Sequence, residues 1–187
     1  MSEHITIRPA RLDERDIVSE LWDHAAQWLD LRGIDQWQYP ARHKAIAGNI
    51  AAGDECWMVE EDGHVVGTIT VDRYADPEFW RPEDEPDTAL YAHRMVVVRE
   101  AAGRELGSSL LDWASRRAAS VGKQWLRLDA WRSNPALCRY YADHGFQPVR
   151  TVELPHRRSG ALYQRQAGVV LGRGPQVRES TQSGGLG

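Results

Sequence analysis

"VVVREAAGRELGSSLL", residues 96 to 111, decides how the chain is read. It opens on a β-branched run, passes through small residues to Gly107, and enters an apolar pattern at helical spacing. Leu110, Leu111, Ala114, Ala118 and Val121 place a stripe on that helix, and Gly122 is a natural residue to follow its end. A helix entered this way presents unpaired N–H groups and about half a positive charge at its first turn, which suits a diphosphate. The amides of Gly103 to Ser108 are the candidate cradle. An ordinary strand-to-helix turn is the alternative reading. No Gly-Lys-Ser/Thr follows, so a Walker-type nucleotide loop is excluded. Glu105 stands inside the cradle. A carboxylate about 4 Å from a phosphate charge costs about 1 kcal/mol in water and about 4 at a protein surface. If the position takes the positive φ open to glycine, a glutamate there adds about 1 to 2 kcal/mol. Its side chain is expected to point to solvent, with Arg99 and Arg104 offsetting part of its charge.

Outward from this stretch the chain alternates. Downstream, "QWLRLDAW" reads as a strand, Asn134 as the cap of a helix with Pro135 at its first position, and Gly145 as its end. "FQPVRTVEL" and "ALYQRQ" form a hairpin around "PHRRSG", and from Gly168 onward the Gly- and Ser-rich sequence reads as a flexible tail. Upstream, "LYAHRMVVV" is a strand, and "YADPEFWRPEDEPDTA", with Pro77, Pro82 and Pro86 among acids, reads as a long solvated surface loop. Asp62-Gly63 between two apolar runs signals a hairpin. "ITIRPA" is a strand, followed by a helix with Asp13 at its N-cap and Leu12, Ile17, Leu21, Ala25 and Trp28 on its apolar side. A second helix spans 41 to 52. The division is one domain over 1–166 and a tail over 167–187.

The 187 residues, 42% hydrophobic with eight tryptophans, suffice for one buried core. A formal charge of −4 without a basic stripe argues against nucleic acid as a partner. No apolar run reaches the roughly 20 residues that cross a bilayer, so no membrane is expected. Cys56 and Cys138 stand apart behind no apolar leader, which fits a reducing cytoplasm. No metal is expected, and the protein is expected to be a monomer or a homodimer.

"VVVREAAGRELGSSLL" followed by "LRLDAWRSNPALCRYYADHGF" resembles the GNAT superfamily of N-acetyltransferases. The order of elements over residues 4 to 166 agrees with that fold. The family's Arg/Gln-x-x-Gly-x-Gly/Ala segment wraps the pyrophosphate of acetyl-CoA, and Ala102-Gly103-Arg104-Glu105-Leu106-Gly107 stands at that place, with only the final glycine matching strictly. Asn134, Tyr141, Gly145 and Phe146 reproduce the family's Asn-(six residues)-Tyr-(three residues)-Gly-Phe spacing. The resemblance implies a mixed α/β fold, a mostly antiparallel central sheet with helices on both faces. It also implies acetyl-CoA as cosubstrate, with Met95, Val96, Val97 and Asn134 joining residues 102–108 around it.

Such a reaction converts an ammonium to a nucleophile, polarises a thioester and expels a thiolate. The resemblance places Tyr141 near the sulfur as general acid. A phenol of pKa about 10 against a thiol of about 8.5 makes full proton transfer uphill, so a hydrogen bond to the developing thiolate is sufficient. Asp129, at a strand end five residues before Asn134, ranks first as base, and His93, of a residue type that titrates near neutrality, second. Trp28, Asp35, Trp37, Tyr39 and Trp131 suit a small cationic amine, or are core aromatics. The expected activity is N-acetylation of a small-molecule amine. The alternatives are a noncatalytic acyl-CoA-binding module, to which Glu105 points, and a protein or peptide N-acetyltransferase, against which the bulky aromatic loop argues.

Overall fold

The structure, a computed structural model, describes residues 5–38, 43–53 and 55–180. One sheet runs through them in the order β6-β7-β5-β4-β3-β2-β1-β8. Its strands are β1 (Ile5–Pro9), β2 (Cys56–Glu61), β3 (His64–Asp72), β4 (Ala89–Val97), β5 (Trp125–Trp131), β6 (Gln147–Thr151), β7 (Ser159–Gln166) and β8 (Val177–Glu179). Only β4–β5 and β1–β8 pair in parallel, so the sheet is mixed and mostly antiparallel. The helices are α1 (Arg15–Asp30), α2 (His43–Ala51), α3 (Leu106–Ser120) and α4 (Pro135–Asp143).

The pleat assigns these helices to faces. Along β2, Trp57 and Val59 join a core with Leu110, Leu111 and Ala114 of α3, while Cys56 and Met58 join Val18, Trp22 and Ile46 of α1 and α2. The β2–β3 hairpin turns at Asp62 and Gly63, both at positive φ, as the sequence signal requires. Asn134 caps α4, its Oδ1 accepting the Leu137 amide at 3.1 Å.

Three expectations are corrected. Helix α1 starts two residues beyond Asp13, after a short turn whose Glu14 accepts the Arg11 amide at 2.8 Å. Its buried stripe is Val18, Trp22 and Leu29, and Leu12 is 57% exposed. Two apolar stripes about one residue apart compete on this helix, and packing against α2 selects the one that buries Trp22. The Pro-rich loop is anchored rather than solvated, with Phe79 and Trp80 buried against Tyr91 and Leu162. There the loop covers the sheet. Three of its six acids are paired: Asp76 and Glu78 hold Arg157 at 2.5 and 2.9 Å, and Asp84 holds Arg150. That guanidinium keeps the Asp84 carboxyl at about 2.

The segment expected as a tail is also ordered as far as residue 180. The Leu171 and Gly172 amides donate to Asp112 on α3, and Val177–Glu179 adds a parallel strand beside β1. The backbone of Val177–Glu179 satisfies groups that the β1 edge would leave unpaired, and the Val177 side chain joins the core. Residues 181–187 lie outside the described residues.

Candidate active site

The β4–β5 ladder runs only from Ala89↔Trp125 to Tyr91↔Arg127. Beyond it the two parallel strands separate, and a cavity of about 1060 Å³ opens between them at their carboxyl ends. A bulge in β4 accompanies the separation. Thr70 faces His93 and Thr68 faces Val96, so Arg94 and Met95 together oppose one residue of β3, with Arg94 at φ 48°. The bulge resets the alternation, so that Leu90 and Ala92 before it and Met95 and Val97 after it all turn toward α3. Val96 is buried.

Met95 connects two parts of the site. It lines the cavity, and its Cε lies 3.8 Å from where a Cβ of Gly107 would stand. Gly107 is in the first turn of α3, and the same absent Cβ would be 2.5 Å from the Tyr140 hydroxyl, so only glycine allows α4 this approach. Gly103 has φ 81° with nothing within 4 Å of its Cβ position, which leaves the turn open on that side. Ala102 ends the short turn before it, donating to the Arg99 carbonyl at 3.1 Å. Leu106 and Ser108 point into the protein, so at those positions the amides alone face the turn.

The charged residues of this turn are already engaged. Arg104 donates to both carboxylate oxygens of Glu61 at 2.8 and 2.7 Å, and the guanidinium lowers the Glu61 carboxyl below its usual range. Glu105 is the N-cap residue of α3 at φ 59°, the strained value that its position in the motif foreshadows. Its side chain is 49% exposed and leans toward His144, whose Nε2 lies 3.4 Å away. His144 stacks on Tyr140 at 4.0 Å, and burial pushes the Tyr140 hydroxyl up to about 12.

The cavity brings together most of the predicted chemistry: Asp129, His93 and Tyr141 with Asp35, Trp37 and Trp131. Burial raises the Asp129 carboxyl above the usual carboxylate range, against the opposing pull of His93 and Arg157. Burial also raises the Tyr141 phenol, whose ring packs edge-on against Phe146 at 5.7 Å and beside Tyr163 at 6.2 Å. Asp35 accepts from Ser133 at 2.6 Å, Trp131 at 2.8 Å and Arg158 at 3.1 Å, and the Ser133 hydroxyl leads in lowering its carboxyl. Trp37 stands at φ 62° with its ring edge-on to Trp22 at 5.7 Å. A bulky residue in this conformation is uncommon and clusters at sites that position something.

Two predicted residues lie elsewhere. Trp28 is not among the cavity walls; it lies between the guanidinium groups of Arg32 and Arg99 at 4.1 and 4.0 Å. Asn134 uses its side chain within the protein, capping α4 and donating to Gln36 at 2.9 Å. Tyr39 lies outside the described residues. Asp72 and Arg94 line the cavity and were missed. A polar residue closing the apolar run of β3 was the only signal for Asp72, and a bulge has none.

No helix among the described residues is long and apolar enough to cross a membrane. No group of three or more His, Cys, Asp or Glu among them is placed to hold a metal ion.

The family model described as an acetyltransferase (GNAT) domain matches residues 52–148. A Bacillus subtilis (strain 168) protein described as the uncharacterized N-acetyltransferase YesJ is 28% identical over 144 residues, 74% of this chain and 79% of its own. Among solved structures, a GNAT-family acetyltransferase from Listeria monocytogenes 4b F2365 superposes with a TM-score of 0.74 at 25% identity, covering 87% of this chain and 94% of its own. The PaiA N-acetyltransferase from Thermoplasma acidophilum, solved in complex with coenzyme A, superposes at 0.68 with 17% identity, covering 89% and 99%, and shares the fold. The chain belongs to the GNAT family of acetyltransferases and is an acyltransferase.

Proposed function

We propose that this protein moves the acetyl group of acetyl-CoA to the amine of a small molecule. One observation carries the reading: Met95 joins the first turn of α3 to the cavity that holds Asp129, His93 and Tyr141. The residues fit the donor. The amides of residues 103–108 suit its pyrophosphate, Gly103 leaves room beside them, and the β4 backbone beyond Tyr91 is not paired to β5. When bound, acetyl-CoA supplies an activated acyl group on a sulfur leaving group. The protein's residues do the rest. Asp35, Trp37 and Trp131 receive a cationic amine, Asp129 and His93 face its nitrogen, and Tyr141 donates a hydrogen bond where negative charge develops.

The test is thiol release from acetyl-CoA across a panel of small amines. Acetyl-CoA binds the native state, so it raises the melting temperature, with stabilisation of about 2.7 kcal/mol at a hundredfold excess over Kd. Calorimetry showing no binding at millimolar ligand would falsify the donor assignment.

Glu105 bears on the donor half of this reading, because it occupies the N-cap position beside the amides expected to hold the phosphates, with His144 Nε2 3.4 Å from its carboxylate. Its strain is already present in the unliganded fold, so that strain weighs on stability, whereas its charge weighs on affinity. Glu105→Gly and Glu105→Gln are therefore expected to bind acetyl-CoA about five- to tenfold more tightly, and equally so. Glycine alone relieves the backbone, changing stability by about 1 kcal/mol or less. Parent-like affinity in both variants would show that the carboxylate stays directed at His144 and solvent.

A further inference from the structure

Asp72, at the end of β3, is buried and points along the sheet face that carries Thr70 and, opposite it on β4, His93. Its Oδ1 lies 2.9 Å from the Tyr74 amide and 3.0 Å from His93 Nε2. The amide can only donate, so Oδ1 is an acceptor, and a short contact from the ring to that atom requires hydrogen on Nε2. The imidazole is thereby held as the Nε2–H tautomer. Nδ1 keeps its lone pair and has no partner among the described residues, and the ring stands in the cavity wall beside Asp129.

We propose that His93 Nδ1 removes the proton from the acceptor ammonium and that Asp72 is the positioning residue that fixes the ring for this task. The proposal rests on the acetyl-transfer reading above and names the base that the sequence left open between Asp129 and His93. The ammonium N–H bond breaks and its proton goes to Nδ1. The freed nitrogen pair forms the C–N bond to the acetyl carbon and the C–S bond breaks. The sulfur leaves as a thiol with the nitrogen's second proton, passed through the Tyr141 hydroxyl, and His93 returns its proton to water. Asp72 from β3 contacts the ring, and the ionisable groups sharing the cavity with it are Asp129 from β5, Arg94 from β4, Tyr141 from α4, and Asp35, Glu55, Tyr74, Asp76, His156, Arg157 and Arg158 from the connecting segments. Asp129 then orients the ammonium by charge while His93 accepts the proton.

Steady-state kinetics on the full chain with acetyl-CoA and 2-phenylethylamine test this, together with ¹⁵N-histidine long-range NMR spectra. His93→Gln should lower kcat about a hundredfold near neutral pH, and Asp72→Asn about tenfold, with the acetyl-CoA KM within about twofold. Both losses should shrink toward about pH 10, where much of an alkylamine is already neutral and needs no base. Damage to the fold would give a loss independent of pH. The His93 resonance, assigned by its disappearance in His93→Gln, should show the Nε2–H tautomer in the parent and lose it in Asp72→Asn. An Nδ1–H ring in the parent, pH-independent losses, or a pH-rescued loss in Asp129→Asn in place of His93→Gln overturns the proposal. A parent that acetylates no amine ends the functional reading, and the NMR spectra alone then decide the Asp72–His93 pair.

Discussion

Tyr141→Phe is expected to lower kcat by about a hundredfold or more while changing the Kd for acetyl-CoA by no more than about twofold. The substitution removes one hydroxyl and keeps the ring that packs on Phe146 and Tyr163. Burial raises the phenol above its ordinary value, so it remains protonated across the working range and is a still poorer donor of a whole proton to a thiolate. In the proposed reaction its contribution is a hydrogen bond that strengthens as charge appears on sulfur, relaying a proton that the amine nitrogen replaces. Interactions of that kind are worth about 10² to 10³ in kcat and little in ground-state binding. It also follows that kcat should show no alkaline loss from ionisation of Tyr141 up to about pH 10. Single-turnover kinetics with chemistry rate-limiting provide the measurement. Unchanged turnover would return Tyr141 to a packing role beside Tyr140.

Arg165→Met is expected to cost about 3 to 5 kcal/mol of stability, lowering Tm by about 10 °C or more. Arg165 is fully buried, donating to the His144 carbonyl at 3.0 Å and the Leu111 carbonyl at 2.7 Å and pairing with Asp112 at 3.3 Å. Asp112 in turn accepts the Leu171 and Gly172 amides. Removal of the guanidinium leaves one buried charge without its counterpart, takes the side-chain donor from the His144 carbonyl, and leaves the Leu111 carbonyl with its helical donor alone. The damage should spread along the C-terminal segment. Gly174 passes so near the Glu105 carbonyl that a Cβ there would meet it at 2.3 Å, so loosening this segment loosens the first turn of α3. Hydrogen exchange at Leu171 and Gly172 should quicken, and acetyl-CoA affinity should fall. Arg165→Met combined with Asp112→Asn should recover part of the loss, because no buried charge remains. A stability change below about 1 kcal/mol would show that the pair is solvated.

Elements with a local cause were legible in the sequence. The Asp62-Gly63 hairpin, the Asn134 cap with Pro135 after it, and the α3 stripe of Leu110, Leu111, Ala114 and Ala118 each depend on residues a few positions apart, while Val121, expected on the same stripe, is 42% exposed just past the helix. The positive φ of Glu105 follows from its place in the motif. The α1 stripe was misplaced because two apolar faces overlap on that helix, and only α2 decides between them. The Phe79–Trp80 plug was hidden because prolines and acids mark an irregular path without saying which aromatics it buries.

By itself the sequence determined the order of strands and helices from β1 to β7 and the turn that opens α3, and it nominated Tyr141, Asp129 and His93, which line one cavity. Tertiary structure alone decided the rest. The β4 bulge, the separation of β4 from β5, the Asp72–His93 contact and the path of residues 168–180 over α3 arise from pairing between strands distant in sequence. No local periodicity records a partner that lies tens of residues away, because register and side-chain direction are fixed only when the sheet and its core close together.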